Sequence, residues 1–315
     1  MRALINLLKG WTRTRNVFRM VVLLYLLNLV VSLVLAVPMY RSLSTSLGTS
    51  QAGERMARDF DYLWWEEYRA DADGLETSFT PALLGKGAVL TNLEGMVLMT
   101  FLNLPGEVLI LGFFYLLLQT FLAGGVVSVL GREDPRTGFG MSAFVLGAAR
   151  RFPTFLGIML TASAAYFVIA GGMNRLSTSL VARSARTAAS EVTPFALSLI
   201  FSILILILLL FFQMMFDYAR IISVDRSQGN VLKAITTGLG FIFRNLGAAL
   251  GLFALLLLAH VLVTLLYLLV ESLIPQGALP GMAAAALLHQ SLIFAVVWIR
   301  CWTYASQIEL VRYSA

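Results

Sequence analysis

Six apolar runs constrain this chain more than anything else in it: residues 20–37, 107–130, 153–171, 194–216, 246–270 and 282–299. Each reaches or passes the roughly 18 residues at which a hydrophobic stretch reads as a membrane span. A soluble chain also needs polar surface to cover its core. Here 59% of the 315 residues are hydrophobic and only 13% are charged, against about 25% charged in soluble domains. The runs therefore predict an all-α integral membrane protein with six transmembrane helices in a single domain over residues 1–315, with the lipid bilayer as its first partner.

The N-terminus places basic residues ahead of VVLLYLLNLVVSLVLAV. That apolar core is longer than the roughly 7–15 residues of a signal peptide, so it reads as a retained first helix. Cys301 is the only cysteine, which excludes a disulfide within one chain and a thiolate zinc site. A net charge of +6 raises nucleic acid as a partner, but the placement of the charges accounts for it without one. With the N-terminus inside, 15 of the 23 basic residues fall on inner segments, and 12 of the 17 acidic ones fall outside. The positive-inside rule then predicts cytoplasmic termini in a bacterial inner membrane.

The inner segments share a layout in which a short polar stretch leads to an amphipathic helix, an arginine and an outgoing span. In GMSAFVLGAARRFPTFLGIML, Met141, Phe144, Val145 and Ala148 recur at helical spacing. Val231, Ile235, Leu239 and Ile242 do so in NVLKAITTGLGFIFRNLGAAL, opposite Asn230, Lys233 and Thr237. Leu4, Leu7, Leu8 and Trp11 precede Arg15 and Asn16 in the same manner. A one-sided apolar stripe with basic residues nearby is suited to lying flat among lipid headgroups. The two internal copies superpose Arg151 on Arg244 at an offset of 93 residues. Three helical hairpins follow, each preceded by a cytoplasmic-side amphipathic helix. Such repeats occur in transporters, and they are equally a simple way to build a bundle.

Residues 41–106 form an extracytoplasmic helical cap inserted between spans 1 and 2. Within it SLSTSLGTSQ reads as a linker, 54–70 as helix and 89–104 as a segment in the outer interface. The other outer segments, about 172–193 and 271–281, read as short loops. The cap carries DFDYLWWEEYRADADG (59–74), with six carboxylates beside tryptophan and tyrosine. The pairs Asp59/Asp61 and Asp71/Asp73 suit a hard cation, but Gly74 is misplaced for an EF-hand loop. The alternative is an interfacial cap, with rings at headgroup depth and carboxylates in water. On that reading Asp59, Asp61, Trp64, Trp65, Glu66 and Tyr68 form a candidate outer docking surface.

His260 and His289, the only histidines, both fall within spans, counted at similar depth from the outer ends of the fifth and sixth. With Gln290 they form a candidate intramembrane polar site. The plainer account is interhelical hydrogen bonding, since two imidazoles fall short of the three or four ligands of a zinc site. Asn28, Gln119 and Gln213 read as interhelical partners. Glu107 suits a helix N-terminus, and Glu271 reads as solvent-exposed at the outer boundary. Asp217 with Arg220, and Asp225 with Arg226, are either salt bridges at the inner end of span 4 or a phosphate or lipid-headgroup site. Gly247 and Gly251 form a G-x-x-x-G that permits close helix contact.

There is no Walker A loop, G-x-S-x-G elbow, H-E-x-x-H or G-x-G-x-x-G ahead of a soluble helix. No catalytic residue, cofactor or metal is predicted. The hairpin layout, with segments such as FDYARIISVDRSQGNVLKAITTGLGFIFRNLGAAL (216–250), resembles that of bacterial six-span membrane proteins of the DUF4013-like and YciC-like families. It is also similar to the membrane domain attached to some glycerophosphodiester phosphodiesterases. The resemblance implies a six-helix bundle, carries over no catalytic residue, and leaves out residues 41–100. The expected function is a non-catalytic scaffold or accessory subunit that stabilises a complex with other membrane proteins. The alternative is a transporter or lipid-handling protein built around His260 and His289.

Overall fold

Lipid offers a backbone no hydrogen-bond partner, so a chain that crosses it closes its own N–H and C=O groups within helices. The computed structural model describes residues 2–48, 51–52, 55, 60–83, 87–132, 138–187, 190–226, 229–275 and 279–314. Asp59, the Gly85-Lys86 turn and Arg136 lie outside the described residues. The α-helices are α1 (Arg2–Asn16), α2 (Phe18–Gly48), α3 (Tyr62–Asp71), α4 (Gly87–Leu98), α5 (Gly106–Leu130), α6 (Met141–Thr187), α7 (Val192–Asp225), α8 (Val231–Arg244), α9 (Leu246–Glu271) and α10 (Leu279–Ser314).

Helices α2, α5, α6, α7, α9 and α10 are long and apolar enough to cross a membrane, and each contains one of the six runs. Their surfaces agree with that assignment. The most apolar window of α7 has a mean hydropathy of 3.1, yet only 6% of it is buried inside the protein. In water such a surface would drive aggregation, whereas in hydrocarbon it faces its natural solvent.

Several helices run further than the sequence suggests. The expected linker after Arg41 is the end of α2, which continues to Gly48. The expected loop at 172–193 is mostly helix, because α6 reaches Thr187 and α7 starts at Val192. Residues 141–152, expected as a separate interfacial helix, run through Pro153 into the span as part of one 47-residue helix. At ~1.5 Å per residue α6 is about 70 Å long. The matching junctions elsewhere do break, at Val17 between α1 and α2 and at Asn245 between α8 and α9.

The main core gathers at the end of the bundle that carries both termini, around Met20, Leu130, Phe144, Phe155, Tyr218 and Ile222. Three packings build it: the start of α6 on α5, α8 on α7, and α1 on α10. The last of these joins the first helix to the final one and closes a ring. Gly10 makes it feasible, since a Cβ there would lie 2.6 Å from the backbone nitrogen of Ser306. The face that α1 buries is polar (Asn6, Gly10, Arg13 and Thr14), while Leu4, Ile5 and Leu8 point outward and the Trp11 ring packs against Trp298 and Trp302 of α10.

Arginines fasten the ring by capping helix C-termini, whose last carbonyls have no partner within the helix. Arg13 donates to Leu130 O and, at 3.1 Å, to Arg132 O just past the end of α5, and it pairs with Glu309 at 2.8 Å. Burial lowers the Arg13 pKa, and Glu309 works against that shift. Arg312 donates to Gly131 O and, at 3.1 Å, to Arg132 O. Arg151 does the same for α7, reaching Ser223 O at 3.3 Å and Val224 O at 3.4 Å.

Opposite the termini, α3 packs on the extended end of α2. Trp64 stacks on Tyr68 at 5.2 Å, and both are buried with Ala52 against Leu43, Leu47 and Phe79. Trp64 Nε1 donates to Ser46 Oγ at 3.0 Å, and the Tyr68 and Ser42 hydroxyls are 2.9 Å apart. Helix α4 is held to α6 by its last carbonyls, with Tyr166 donating to Met96 O at 2.6 Å and Asn174 to Val97 O at 2.9 Å.

Candidate functional site

Helix α2 is joined to its neighbours by few close contacts, and a cavity of about 780 Å³ lies between α2, α5 and α10. It is lined from Leu24 to Leu35 on α2, from Val108 to Val126 on α5 and from Gln290 to Tyr304 on α10. Along α5 that is about 27 Å of rise, close to the ~30 Å thickness of a hydrocarbon core. Most of the wall is aliphatic, including Leu29, Leu35, Leu111, Leu116, Ile293 and Val297. The polar groups fall in two tiers.

The middle tier ties α2 to both neighbours. Asn28 Oδ1 accepts from Tyr115 and from Gln119 Nε2, each at 2.7 Å, while its Nδ2 donates to Leu24 O at 2.8 Å. Tyr25 donates to Gln290 Oε1 at 2.8 Å. Interhelical hydrogen bonds in membranes average roughly 0.6 kcal/mol and reach ~1.7 kcal/mol, so these few contacts position α2 without locking it.

The second tier closes the slot at the termini end. Asp217 is fully buried where α7 leaves its apolar run. Arg300 grips it with Nη1–Oδ2 at 2.6 Å and Nη2–Oδ1 at 2.7 Å, and Arg220 Nη1 reaches Oδ1 at 3.1 Å. The Tyr304 hydroxyl accepts from Arg300 at 2.9 Å and from Arg220 at 3.3 Å. A bidentate guanidinium is the strongest partner a carboxylate has, which accounts for a charge held out of solvent. The tier is unbalanced, with two cations to one anion. Arg220, Arg300 and Tyr304 line the cavity, whereas Asp217 stands behind them. The slot therefore meets positive charge at this end.

The residues predicted from sequence are distributed differently. Gln290 lines the slot, but His289, its neighbour, lies against the Tyr267 ring of α9 at 5.6 Å. His260 is seven residues from Tyr267, about 10 Å along the helix, so the two histidines and Gln290 are not gathered into one site. Glu271, expected to be exposed, is only 4% exposed. Gln213, expected as an interhelical partner, sits on an exposed face. Of the outer set, Trp64 and Tyr68 are buried in the cap, because α3 turns that i, i+4 pair toward α2. Asp61 accepts from Leu63 N and Trp64 N as the helix cap and pairs with Arg55 at 2.5 Å. Among the described members of that set, Glu66 is exposed and Asp61 and Trp65 are partly exposed. Among the described residues no group of three or more His, Cys, Asp or Glu side chains is placed to hold a metal ion.

In the sequence Arg300 is one of many inner basic residues. Its partner lies 83 residues away, and no local spacing signals such a pair. Asp217 and Arg220 are legible as a pair, being three residues apart on one helix. Comparison of the chain with protein-family models, curated proteins and solved structures gave no match. What the slot can do follows from its own chemistry.

Proposed function

We propose that the protein is a binding rather than a catalytic membrane protein, and that it holds an amphiphile in the slot between α2, α5 and α10. The observation that carries this reading is the slot's composition, with aliphatic walls over nearly a membrane thickness and guanidinium groups at one end. That combination matches a molecule with an apolar chain and a polar head. The charge bias along the sequence supports a bacterial inner membrane with the termini cytoplasmic. The outward Leu4, Ile5 and Leu8 of α1 support a helix lying in the headgroup layer. A scaffold role has weaker support, because the aromatic residues offered for docking are taken up by the cap's own core.

Gly112 supplies the test. It lines the slot, and a Cβ there meets nothing within 4 Å. Gly112→Trp therefore fills the slot without clashing at its root. Lipids extracted from the purified full chain and counted by mass spectrometry are expected to fall severalfold in this variant. An unchanged lipid complement would end the proposal.

A further inference from the structure

The slot identifies its occupant more closely, given that it holds an amphiphile at all. We infer that it takes a monoanionic glycerophospholipid, with its phosphodiester against Arg220, Arg300 and Tyr304 and its acyl chain along the aliphatic walls. Charge carries the first step. Two guanidiniums share one carboxylate, and that carboxylate lies behind the lining. One positive charge at the membrane boundary is left without a counter-charge in the tier, and a single anion balances it. Donor capacity carries the second step. Arg220 keeps a buried Nε–H with no acceptor among the described residues. The Tyr304 hydroxyl accepts from both arginines, which leaves its own proton to donate. A phosphodiester offers several acceptor oxygens to such a set, and guanidinium groups suit it geometrically.

Depth carries the third step. Arg300 directly follows the sixth apolar run and Asp217 directly follows the fourth, so the tier sits where phosphodiesters of the adjoining leaflet already lie. A zwitterionic head would bring its own cation against the two arginines. Inorganic phosphate would leave the aliphatic walls unused. Both are disfavoured on the same grounds that favour the anionic lipid.

The test uses the full chain in mild detergent, titrated separately with phosphatidylglycerol, phosphatidylcholine, oleate and inorganic phosphate, and read by native mass spectrometry. Phosphatidylglycerol is expected to be retained about tenfold more than phosphatidylcholine, whose choline cation is repelled by the unbalanced guanidinium charge. Inorganic phosphate is expected not to displace it. Arg220→Gln leaves Asp217 gripped by Arg300, so the bundle stays folded while the excess charge is gone, and the preference is expected to fall to near one. Arg220→Lys is expected to restore it. Equal retention of both phospholipids, a preference for oleate, displacement by phosphate, or a preference untouched by Arg220→Gln would each overturn the headgroup assignment. If Gly112→Trp still displaces lipid in those cases, the amphiphile reading survives without it. If no lipid responds to Gly112→Trp, both fall together.

Discussion

Asp217 is the residue on which the termini end of the slot depends. It is fully buried between two arginines, so removing its charge strands both cations in a low-dielectric site. Asp217→Asn is expected to cost about 3–5 kcal/mol, read as a lowered midpoint of thermal unfolding in detergent. Asp61 shows the same chemistry at the surface with a different outcome. Its hydrogen bond with Arg55, helped by the N–H groups of Trp64 and Leu63, holds its carboxyl below the usual range. Because the folded value is the lower one, the stabilisation is present above the unfolded value of about 3.9. It is lost as pH falls through the folded value. Acidification below about pH 4 is therefore expected to loosen α3, with a change in the emission of buried Trp64. Asp61→Asn should remove that transition.

At the scale of elements, Gly10 makes the docking of α1 on α10 sensitive to a single methyl group. Gly10→Ala places a Cβ against Ser306 backbone, and overpacking of this kind costs roughly 1–3 kcal/mol. Faster proteolysis of the N-terminal helix would report it. The six spans are legible in the sequence because an apolar run of span length is costly to expose anywhere but in lipid. The helical ends of α2 and α6 are not, because Ser, Thr and Arg at 42–48 and 172–187 resemble linker composition. The end of α2 packs against α3, and Asn174 ties the extended part of α6 to Val97 O of α4. The apolar stripe of α1 is legible, but the direction it faces is not. Composition does not say that protein takes the polar face and leaves the leucines outside. Likewise Asn28, Gln119 and Gln290 are recognisable as polar groups within spans, while the slot between them depends on how far α2 stands from α5 and α10.

For the whole molecule, the close approach of Arg2 and Lys9 to the Tyr313 ring, each at 5.8 Å, puts both chain ends on one face. Cys301 is 2% exposed, so an impermeant thiol reagent should leave the native chain unmodified. Ser190→Cys is expected to label from outside intact cells, and Lys9→Cys only after lysis. The reverse pattern would invert the proposed orientation. Ring closure also has a consequence in time. Helix α1 leaves the ribosome well before its docking surface, from Ile299 to Val311 of α10, has been made. Until α10 has been made, the face of α1 around Gly10 lacks the helix that covers it, and the C-terminus of α5 lacks Arg312. The joint between α1 and α10 can therefore form only after the packings of α6 on α5 and of α8 on α7 have become available, which makes it the late step in closing the bundle.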